Sequence, residues 1–151
     1  MTGAGSTVLE YRHDLAASPA RVFAALTESD HLEHWLCDKA ESDARPGGRI
    51  VLHWTGPEAS PEPFEARWLV FEPGISCAWE GGHSGYPDGY AGRVGFELAP
   101  QGDGTVLVTR HRIPARPDYQ PVIDRYREAW PRALARLESH ITPTGQKGEA
   151  K

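Results

Sequence analysis

Residues 118–141 read DYQPVIDRYREAWPRALARLESHI, and this stretch carries a long helical pattern. Apolar residues recur in it at steps of three and four, the spacing that places side chains on one face of a helix. They are Ile123, Tyr126, Trp130, Leu134, Leu137 and Ile141. The opposite face is charged and carries Arg125, Glu128, Arg132, Arg136 and Glu138. The pattern predicts an amphipathic helix over Asp118 to Ile141 that packs one side on apolar residues from earlier in the chain.

Pro131 lies inside this pattern. Proline has no N–H to donate to the carbonyl of Arg127, and its ring presses on that carbonyl. The apolar repeat nevertheless continues on both sides. We therefore expect one helix, from about Pro121 to Ile141, that bends at Pro131.

The length and composition suit one domain. The chain has 151 residues, of which 39% are hydrophobic, and a net charge of −5. A chain of this size buries roughly 70% of its unfolded surface around a single core. The acidic balance disfavours a nucleic-acid partner, which requires clustered lysine and arginine. We expect a flexible tail over residues 1–7, one domain over residues 8–141 and a second flexible tail over residues 142–151.

Targeting segments and paired cysteines are not apparent in the sequence. No stretch approaches the ~20 apolar residues of a membrane helix, and the start MTGAGSTV lacks the basic and apolar regions of a secretion signal. We therefore expect a cytoplasmic protein with no membrane partner. Cys37 and Cys77 are far apart and form no CxxC pair, so free, partly buried thiols are expected rather than a disulfide.

The first part of the domain predicts one strand and two short helices. The strand covers Val8 to Leu15. Ser18 can cap the first helix, and Pro19 fits its first position, where the missing N–H costs nothing. The second helix starts at Ser29 or Asp30. The apolar faces of the two helices consist of Val22, Phe23 and Leu26, and of Leu32, Trp35 and Leu36.

From Lys39 onward the chain alternates between short strands and glycine-containing turns such as Pro73-Gly74. This is the pattern of an antiparallel sheet built from hairpins. One face of the sheet is expected to carry Ile50, Leu52 and Trp54, then Phe64, Ala66, Trp68 and Val70, then Ile75, Cys77 and Trp79, then Val94, Phe96 and Leu98, and finally Leu107, Thr109 and His111. The whole order predicts an α+β fold with the long helix laid on a curved sheet.

Five segments follow one another with a recognisable spacing: SPARVFAALTESDHLEHWL, RPGGRIVLHW, FEARWLVFEPG, GRVGFELAPQGDGTVLVTRH and AWPRALARL. Together they resemble the SRPBCC (START-like) superfamily, over about Leu9 to Ile141. Within it, the chain is most similar to the branch of the C-terminal domain of the activator of the ninety-kilodalton heat-shock protein ATPase. The resemblance implies a helix-grip fold, in which about seven antiparallel strands wrap the long helix and leave a cavity. The chain departs from the family at Ala129, where a glycine usually precedes the helix tryptophan, and at Pro131.

The resemblance also implies that inward-facing aromatic residues border a ligand cavity. Several aromatic rings, some of them with hydrogen-bonding groups, suit a small hydrophobic or aromatic ligand. The helix stripe is too narrow to fill a broad curved sheet, so some space should remain. The alternative is that the rings are ordinary core residues, because burial is the default for them. The candidate ligand-binding residues are Trp54, Trp68, Trp79, Tyr86, Tyr90, His111, Tyr126 and Trp130.

Residues 81–91 read GGHSGYPDGYA, and the glycines and proline in them predict a loop rather than a regular strand. The loop carries a histidine and two tyrosines. It is either a long hairpin connection or a lid whose Tyr86 and Tyr90 touch a ligand or a partner subunit.

Signals for metal binding and catalysis are weaker. His31, His34 and Asp38 share one sector of a helix, and such residues can bind zinc, but the sector faces away from the apolar side. We prefer a solvated polar face and assign no metal.

A catalytic base must lie within hydrogen-bond reach of a partner, and His111 is expected to be structural. No nucleotide-binding or nucleophile motif occurs, so we assign neither a cofactor nor a catalytic residue. The residues weighed for catalysis were His111, Glu80, Asp88 and Arg93.

Three functions from different classes stay open. The first is binding of a small hydrophobic or aromatic molecule. The second is a chaperone-associated stress-response role, which the family's name implies; the separate N-terminal domain of the eukaryotic activators has no counterpart in these 151 residues. The third is a cyclase- or hydrolase-like enzyme that uses the same cavity. A homodimer and a chaperone are the candidate macromolecular partners.

Overall fold

A computed structural model describes residues 5–55 and 62–141 of the chain. Within them, a seven-stranded antiparallel sheet packs against three α-helices, which confirms the predicted α+β helix-grip fold. The strands are β1 (Ser6–Leu15), β2 (Lys39–Ser42), β3 (Arg49–His53), β4 (Phe64–Glu72), β5 (Ser76–Gly82), β6 (Gly92–Gln101) and β7 (Gly104–Pro114). The helices are α1 (Pro19–Thr27), α2 (Ser29–Trp35) and α3 (Gln120–Ile141). Two short 3₁₀ turns cover Pro87–Gly89 and Pro117–Tyr119.

The sheet order is β1-β7-β6-β5-β4-β3-β2. Strands β2 to β7 therefore neighbour one another in sequence order, as expected for a run of antiparallel hairpins. Strand β1 pairs with the last strand, from Ser6 opposite Pro114 to Leu15 opposite Thr105. This register places the start of the domain beside β7, and the two short helices then carry the chain across to β2 at the far edge.

Both short helices start where they were predicted, and α1 has the predicted cap, whereas the N-cap of α2 is Glu28, whose side chain forms no capping hydrogen bond. The side chain of Ser18 accepts a hydrogen bond from the backbone N–H of Arg21, and Pro19 occupies the first turn. Helix α2 is held against α1 because the indole N–H of Trp35 donates to the Ala25 carbonyl at 2.8 Å. The two helices consequently pack as one unit beneath α3.

Helix α3 confirms the predicted apolar stripe. Ile123, Trp130, Leu134, Leu137 and Ile141 are buried and Tyr126 is partly buried, while Val122 and Ala133 extend the buried face. The helix begins at Gln120, one residue before the predicted start at about Pro121 and two after the start of the pattern at Asp118, because Pro117–Tyr119 form a 3₁₀ turn. It continues through Pro131, whose side chain is exposed. The bend at Pro131 stays a prediction.

Phe96 on β6 is the centre of an aromatic core. It is fully buried, and the rings of Trp35, Trp79 and Trp130 lie around it with centroids 6.4, 5.5 and 6.2 Å away. The pairs with Trp35 and Trp130 have the favourable edge-on geometry of aromatic pairs, and the pair with Trp79 is tilted at 60°. Phe96 therefore joins α2, β5 and α3 in one contact network, and this network fills the space at the middle of the sheet.

The predicted inward face of β4 is wrong at its end. Trp68 pairs with Trp79, but Val70 pairs with the next residue, Ala78, so an extra residue, Leu69, is inserted in β4. Such a bulge reverses which side chains face the core beyond it. Phe71 takes the inward place that was predicted for Val70, and its ring lies 5.5 Å from that of Trp68.

Ile75 was also expected in the inward face, and this prediction is wrong. It precedes β5, donates its N–H to the Glu72 carbonyl in a turn, and is 62% exposed. The turn conformation of Ile75 breaks the regular alternation of the strand, so the alternation seen in the sequence does not apply to its side chain, although its carbonyl accepts the N–H of Leu98 on β6.

The first strand starts slightly earlier in the chain than predicted. Strand β1 begins at Ser6, so the last two residues of the predicted first tail are part of the sheet. Residues 1–4 and 142–151 lie outside the described residues. Cys37 and Cys77 are free, as expected, but they are buried rather than partly buried, and burial raises the pKa of the Cys37 thiol to about 12. None of the described helices has the length and apolar character to span a bilayer.

Candidate functional site

A partly enclosed pocket of about 350 Å³ lies beside α3; we call it the α3 pocket. Its walls consist of residues from α3, from the ends of α2 and β3 and from the β5–β6 loop. Its volume falls in the range of small-molecule sites. Its apolar wall consists of Leu36, Trp54, Tyr86, Tyr126, Ala129, Trp130 and Ala133, and its polar rim of Thr55, Glu62, His83, Arg125 and Arg136.

Four of the predicted ligand-binding residues meet at this pocket: Trp54, Tyr86, Tyr126 and Trp130. Trp54 follows the end of β3 and is 40% exposed. Its indole N–H donates to the Leu36 carbonyl at 2.7 Å, which fixes the orientation of the ring although a large part of it contacts solvent. A large apolar ring held at a pocket wall is a surface on which an apolar molecule can pack.

Trp68 and Trp79, also expected at the cavity, are core residues that do not line the α3 pocket. Their rings contact each other at 5.6 Å, and Trp79 continues to Phe96. The indole N–H of Trp68 donates to the Ser42 hydroxyl at 3.2 Å. Because these rings occupy the middle of the sheet, the open space lies at the rim of α3 rather than deep between helix and sheet.

His111 likewise lies inside the protein rather than on the pocket wall. Its Nδ1 is 2.9 Å from the indole nitrogen of Trp130, and its Nε2 is 2.8 Å from the Ala91 carbonyl. An indole nitrogen can only donate and a carbonyl can only accept, so the proton is on Nε2. Burial lowers the pKa of His111 to about 4, which keeps the ring neutral. His111 is thus the structural histidine that we expected, and it orients Trp130 at the pocket.

The β5–β6 loop, residues 83–91, forms the far side of the pocket. Gly81 and Gly82 belong to β5, although a loop was predicted from residue 81. A Cβ on Gly81 would lie 2.0 Å from the Glu65 carbonyl oxygen, so only glycine allows the two strands to approach this closely. The predicted loop is therefore shorter than its glycine content indicated.

The two loop tyrosines have different roles. The ring of Tyr86 stacks on His83 at 4.1 Å, and its hydroxyl is 3.0 Å from that of Tyr126. Tyr86 therefore closes the pocket against α3. Tyr90, which was also expected at the ligand, does not line the pocket; its hydroxyl donates to the carboxylate of Glu80 at 2.6 Å.

Tyr119, which sequence reasoning did not select, anchors this loop. It is almost fully buried, and its hydroxyl lies 2.7 Å from the Pro87 carbonyl and 2.9 Å from the Tyr90 carbonyl. The hydroxyl has one hydrogen, which these two acceptors share. A hydroxyl placed between two loop carbonyls restrains the loop that carries Tyr86.

We predict that Tyr119→Phe speeds hydrogen exchange of the Gly89 and Tyr90 amides by about fivefold to tenfold, because a hydrogen bond contributes roughly 1 kcal/mol and the Pro87 and Tyr90 carbonyls lose the donor that restrains the loop. Both amides lie in the anchored turn. Mass-spectrometric or NMR exchange would measure the rates. Tyr11→Phe, on β1, is the control variant and should leave these amides unchanged. Equal rates in Tyr119→Phe and the wild type would contradict the anchoring role.

Of the three candidate metal ligands, His31 and His34 both contact His140, whereas Asp38 has a different partner. His31 Nδ1 lies 2.8 Å from Nε2 of His140, and His34 stacks on the same ring at 4.6 Å. Asp38 instead accepts hydrogen bonds from the backbone and hydroxyl of Thr55. Within residues 5–55 and 62–141, no group of three or more His, Cys, Asp or Glu side chains has the geometry to hold a metal ion.

The residues weighed for catalysis do not converge either. Glu80 accepts the hydrogen bond of Tyr90, Asp88 pairs with Arg116 at 3.1 Å, and His111 is buried in the core. Arg93 lies with Glu97 and Arg110 on the outer side of the sheet. None of the four lines the α3 pocket.

Two arginines at the pocket were missed because the sequence assigns them to the solvent face of α3. Arg125, Ala129, Ala133 and Arg136 follow one edge of the apolar stripe at spacings of four, four and three residues. Because this spacing places side chains on one edge of a helix, it could have indicated that the two arginines border the apolar stripe. Arg136 donates from Nε to the Trp35 carbonyl at 3.0 Å. At the Arg125 end of the pocket, burial and the nearby charge of Arg125 lower the pKa of His83, although the charge of Glu62 opposes this shift.

Solved structures with the same fold are found in several bacteria. An X-ray structure of a Mesorhizobium loti protein superposes with a TM-score of 0.75 at 20% identity, covering 89% of this chain and 96% of the other. The solution structure of the Aha1 dimer from Colwellia psychrerythraea gives 0.76 at 17% identity, with coverages of 89% and 96%. CalU16 from Micromonospora echinospora gives 0.72 at 22% identity, with coverages of 91% and 78%. These likenesses establish the fold.

No curated protein sequence matches this chain significantly. The family described as "Activator of Hsp90 ATPase homolog 1-like protein" matches residues 16–142, which include every helix and six of the seven strands. This match covers most of the chain and agrees with the SRPBCC resemblance carried by the sequence segments. The chain therefore belongs to the family of Activator of Hsp90 ATPase homolog 1-like proteins.

Proposed function

We propose that this protein binds a small, mostly apolar molecule in the α3 pocket. The observation that carries the proposal is the pocket itself, about 350 Å³ in volume, with aromatic rings on its wall and a packed core behind it. When an apolar ligand covers large aromatic side chains at a solvent-open wall, the removal of their surface from water favours binding. The small side chains of Ala129 and Ala133 leave the room that such a ligand needs.

The surrounding contacts favour a site that is formed before the ligand arrives. Trp54 is fixed by the Leu36 carbonyl, Trp130 by His111, and Tyr86 by Tyr126. Side chains that are already ordered lose less conformational entropy on binding, which favours affinity. Family membership supports a ligand-binding role of the SRPBCC type.

The test combines native mass spectrometry of the freshly purified protein with thermal unfolding in the presence of aromatic and fatty-acid probes. A bound probe should quench tryptophan fluorescence and raise the melting temperature as its concentration rises, because only the folded protein offers the site. At a probe concentration 100 times Kd, the free energy of unfolding should increase by about 2.7 kcal/mol. The probes should have much less effect on a Trp54→Ala variant.

The matched control is Ile75→Ala, which also shortens an exposed apolar side chain but lies in the β4–β5 turn away from the pocket. It should bind the probes like the wild type. The proposal fails if no ligand copurifies and no probe changes the melting temperature. It also fails if Trp54→Ala binds the probes as tightly as the wild type.

Two other functions follow from the family and the pocket. The family's description and the dimeric Colwellia structure support a chaperone partner and a homodimer as second candidates. Sedimentation measurements and a pull-down with the purified chaperone would test them. A cyclase- or hydrolase-like activity would have to use acid–base groups at the pocket, which include Glu62, His83, Tyr86 and Tyr126. A pH–rate profile altered by Tyr126→Phe would favour that third candidate.

A further inference from the structure

We infer that the α3 pocket selects a ligand with an apolar body and an anionic group, with a carboxylate held by Arg136. This inference rests on the proposed function and specifies the chemical class of its ligand. The charges around the pocket, the geometry of the arginines and the position of the apolar wall support it independently of one another.

Charge pairing distinguishes the pocket arginines from most others. The chain contains 21 acidic and 16 basic residues, and most arginines of the described part have a carboxylate within 4 Å. These are Arg12, Arg45, Arg49, Arg110, Arg116, Arg127 and Arg132. Arg125 and Arg136 form no such ion pair within residues 5–55 and 62–141; Arg21, Arg67, Arg93 and Arg112 also lack one but do not line the α3 pocket. Arg125 and Arg136 both line the α3 pocket in a protein that is acidic as a whole.

The two ends of the pocket differ in charge. Arg125 and Glu62 both act on His83, so a positive and a negative charge lie together at that end. Arg136 lies eleven residues further along α3, which corresponds to about 16 Å along the helix axis. No carboxylate from the described residues lines the pocket at the Arg136 end. An anionic group is therefore favoured beside Arg136.

The guanidinium of Arg136 is already positioned for such a contact. Its Nε donates to the Trp35 carbonyl at 3.0 Å, so the side chain is held across the end of α2. The two terminal nitrogens still provide N–H donors, and their planar arrangement matches the two oxygens of a carboxylate. Ala133 lies about one turn and Trp130 nearly two turns earlier on α3, and Leu36 follows the end of α2. If the carboxylate of a ligand binds Arg136, the apolar body attached to it would therefore lie against the apolar wall of the pocket.

A matched pair of probes, 2-naphthoate and 2-naphthamide, tests the inference with the full chain. They share one ring system and differ in the charge of one group. Isothermal titration calorimetry at low salt should show about tenfold tighter binding of the naphthoate, because hydrogen bonds to charged groups are the stronger ones. Raising the ionic strength to about 0.5 M should reduce this difference, because salt screens a partly exposed charge.

Arg136→Gln should lower the affinity for the naphthoate by about tenfold and lower that for the naphthamide much less, because only the naphthoate carries a negative charge. Arg136→Lys, which keeps the charge but not the planar fork, should restore part of the preference. The control is Arg132→Gln on the same helix, since Arg132 pairs with Glu128 outside the pocket. It should behave like the wild type. Melting temperatures would show that each variant is folded.

Each other outcome has a separate meaning. If both probes bind with equal affinity, the anionic selectivity is wrong and the proposed apolar pocket stands. If Arg136→Gln weakens both probes equally, the side chain contributes packing rather than charge recognition, and the inference is overturned. If neither probe binds or shifts the melting temperature, the inference and the proposed function for ligands of this size are both contradicted.

Discussion

Replacing Phe96 with alanine is expected to lower the free energy of unfolding by about 3–5 kcal/mol, the usual loss when a buried phenylalanine is truncated. Phe96 is fully buried and contacts the rings of Trp35, Trp79 and Trp130. The substitution removes these contacts and leaves a cavity where α2, α3 and the sheet meet. Domains of this size are stable by about 5–15 kcal/mol, so the loss is a large part of the total.

Urea unfolding followed by tryptophan fluorescence and by circular dichroism would measure this loss. The control is Leu69→Ala, which truncates an apolar side chain that is 46% exposed at the β4 bulge. It should change the free energy of unfolding much less. Similar midpoints for Phe96→Ala and the wild type would show that the aromatic core does not carry the stability assigned to it.

Lowering the pH from 7 to 4.5 is expected to cost about 2 kcal/mol of stability through His111 alone. Burial lowers the pKa of His111 to about 4 in the folded protein, from an ordinary value of 6.5. Below pH 6.5 the unfolded chain therefore binds a proton that the folded protein does not. This contribution to stability is present above pH 6.5 and is lost progressively as the pH falls toward 4.

His111→Gln isolates this effect from the titration of other groups. A glutamine side chain can accept a hydrogen bond from the indole of Trp130 or donate one to the Ala91 carbonyl, but it does not titrate. Denaturant unfolding of both proteins should be measured at pH 7 and at pH 4.5. The wild type should lose about 2 kcal/mol more than the variant over this interval. The same pH dependence in both proteins would show that His111 is not the buried neutral group responsible.

The helix stripe and the helix caps could be predicted because they depend on neighbours in sequence. Side chains three and four residues apart share a helix face whatever the rest of the chain does. This is why Leu134, Leu137 and Ile141 were found correctly. The cap at Ser18 is likewise a contact between residues three apart. The strand pattern and the family resemblance were sufficient for the helix-grip fold.

The position of the pocket could not be predicted in the same way. Trp68 and Trp79 carry the same apolar signal as Trp130, yet they contact each other across two strands while Trp130 reaches the pocket wall. Which rings pack together depends on the strand register and on the bulge at Leu69. A single inserted residue exchanges the two faces of a strand, and sequence alternation does not show it.

The sequence by itself determined the order of strands and helices, the buried side of α3 and the family. Only the tertiary structure decided the environment of individual polar side chains. Arg136 is exposed, as its place on the helix predicted, but only the structure shows that it donates a hydrogen bond to the Trp35 carbonyl, 101 positions away. His140 meets His31 across 109 positions. Periodicity reports the face of one element, whereas a binding site is made by several elements, and their relative placement results from the packing of the whole core.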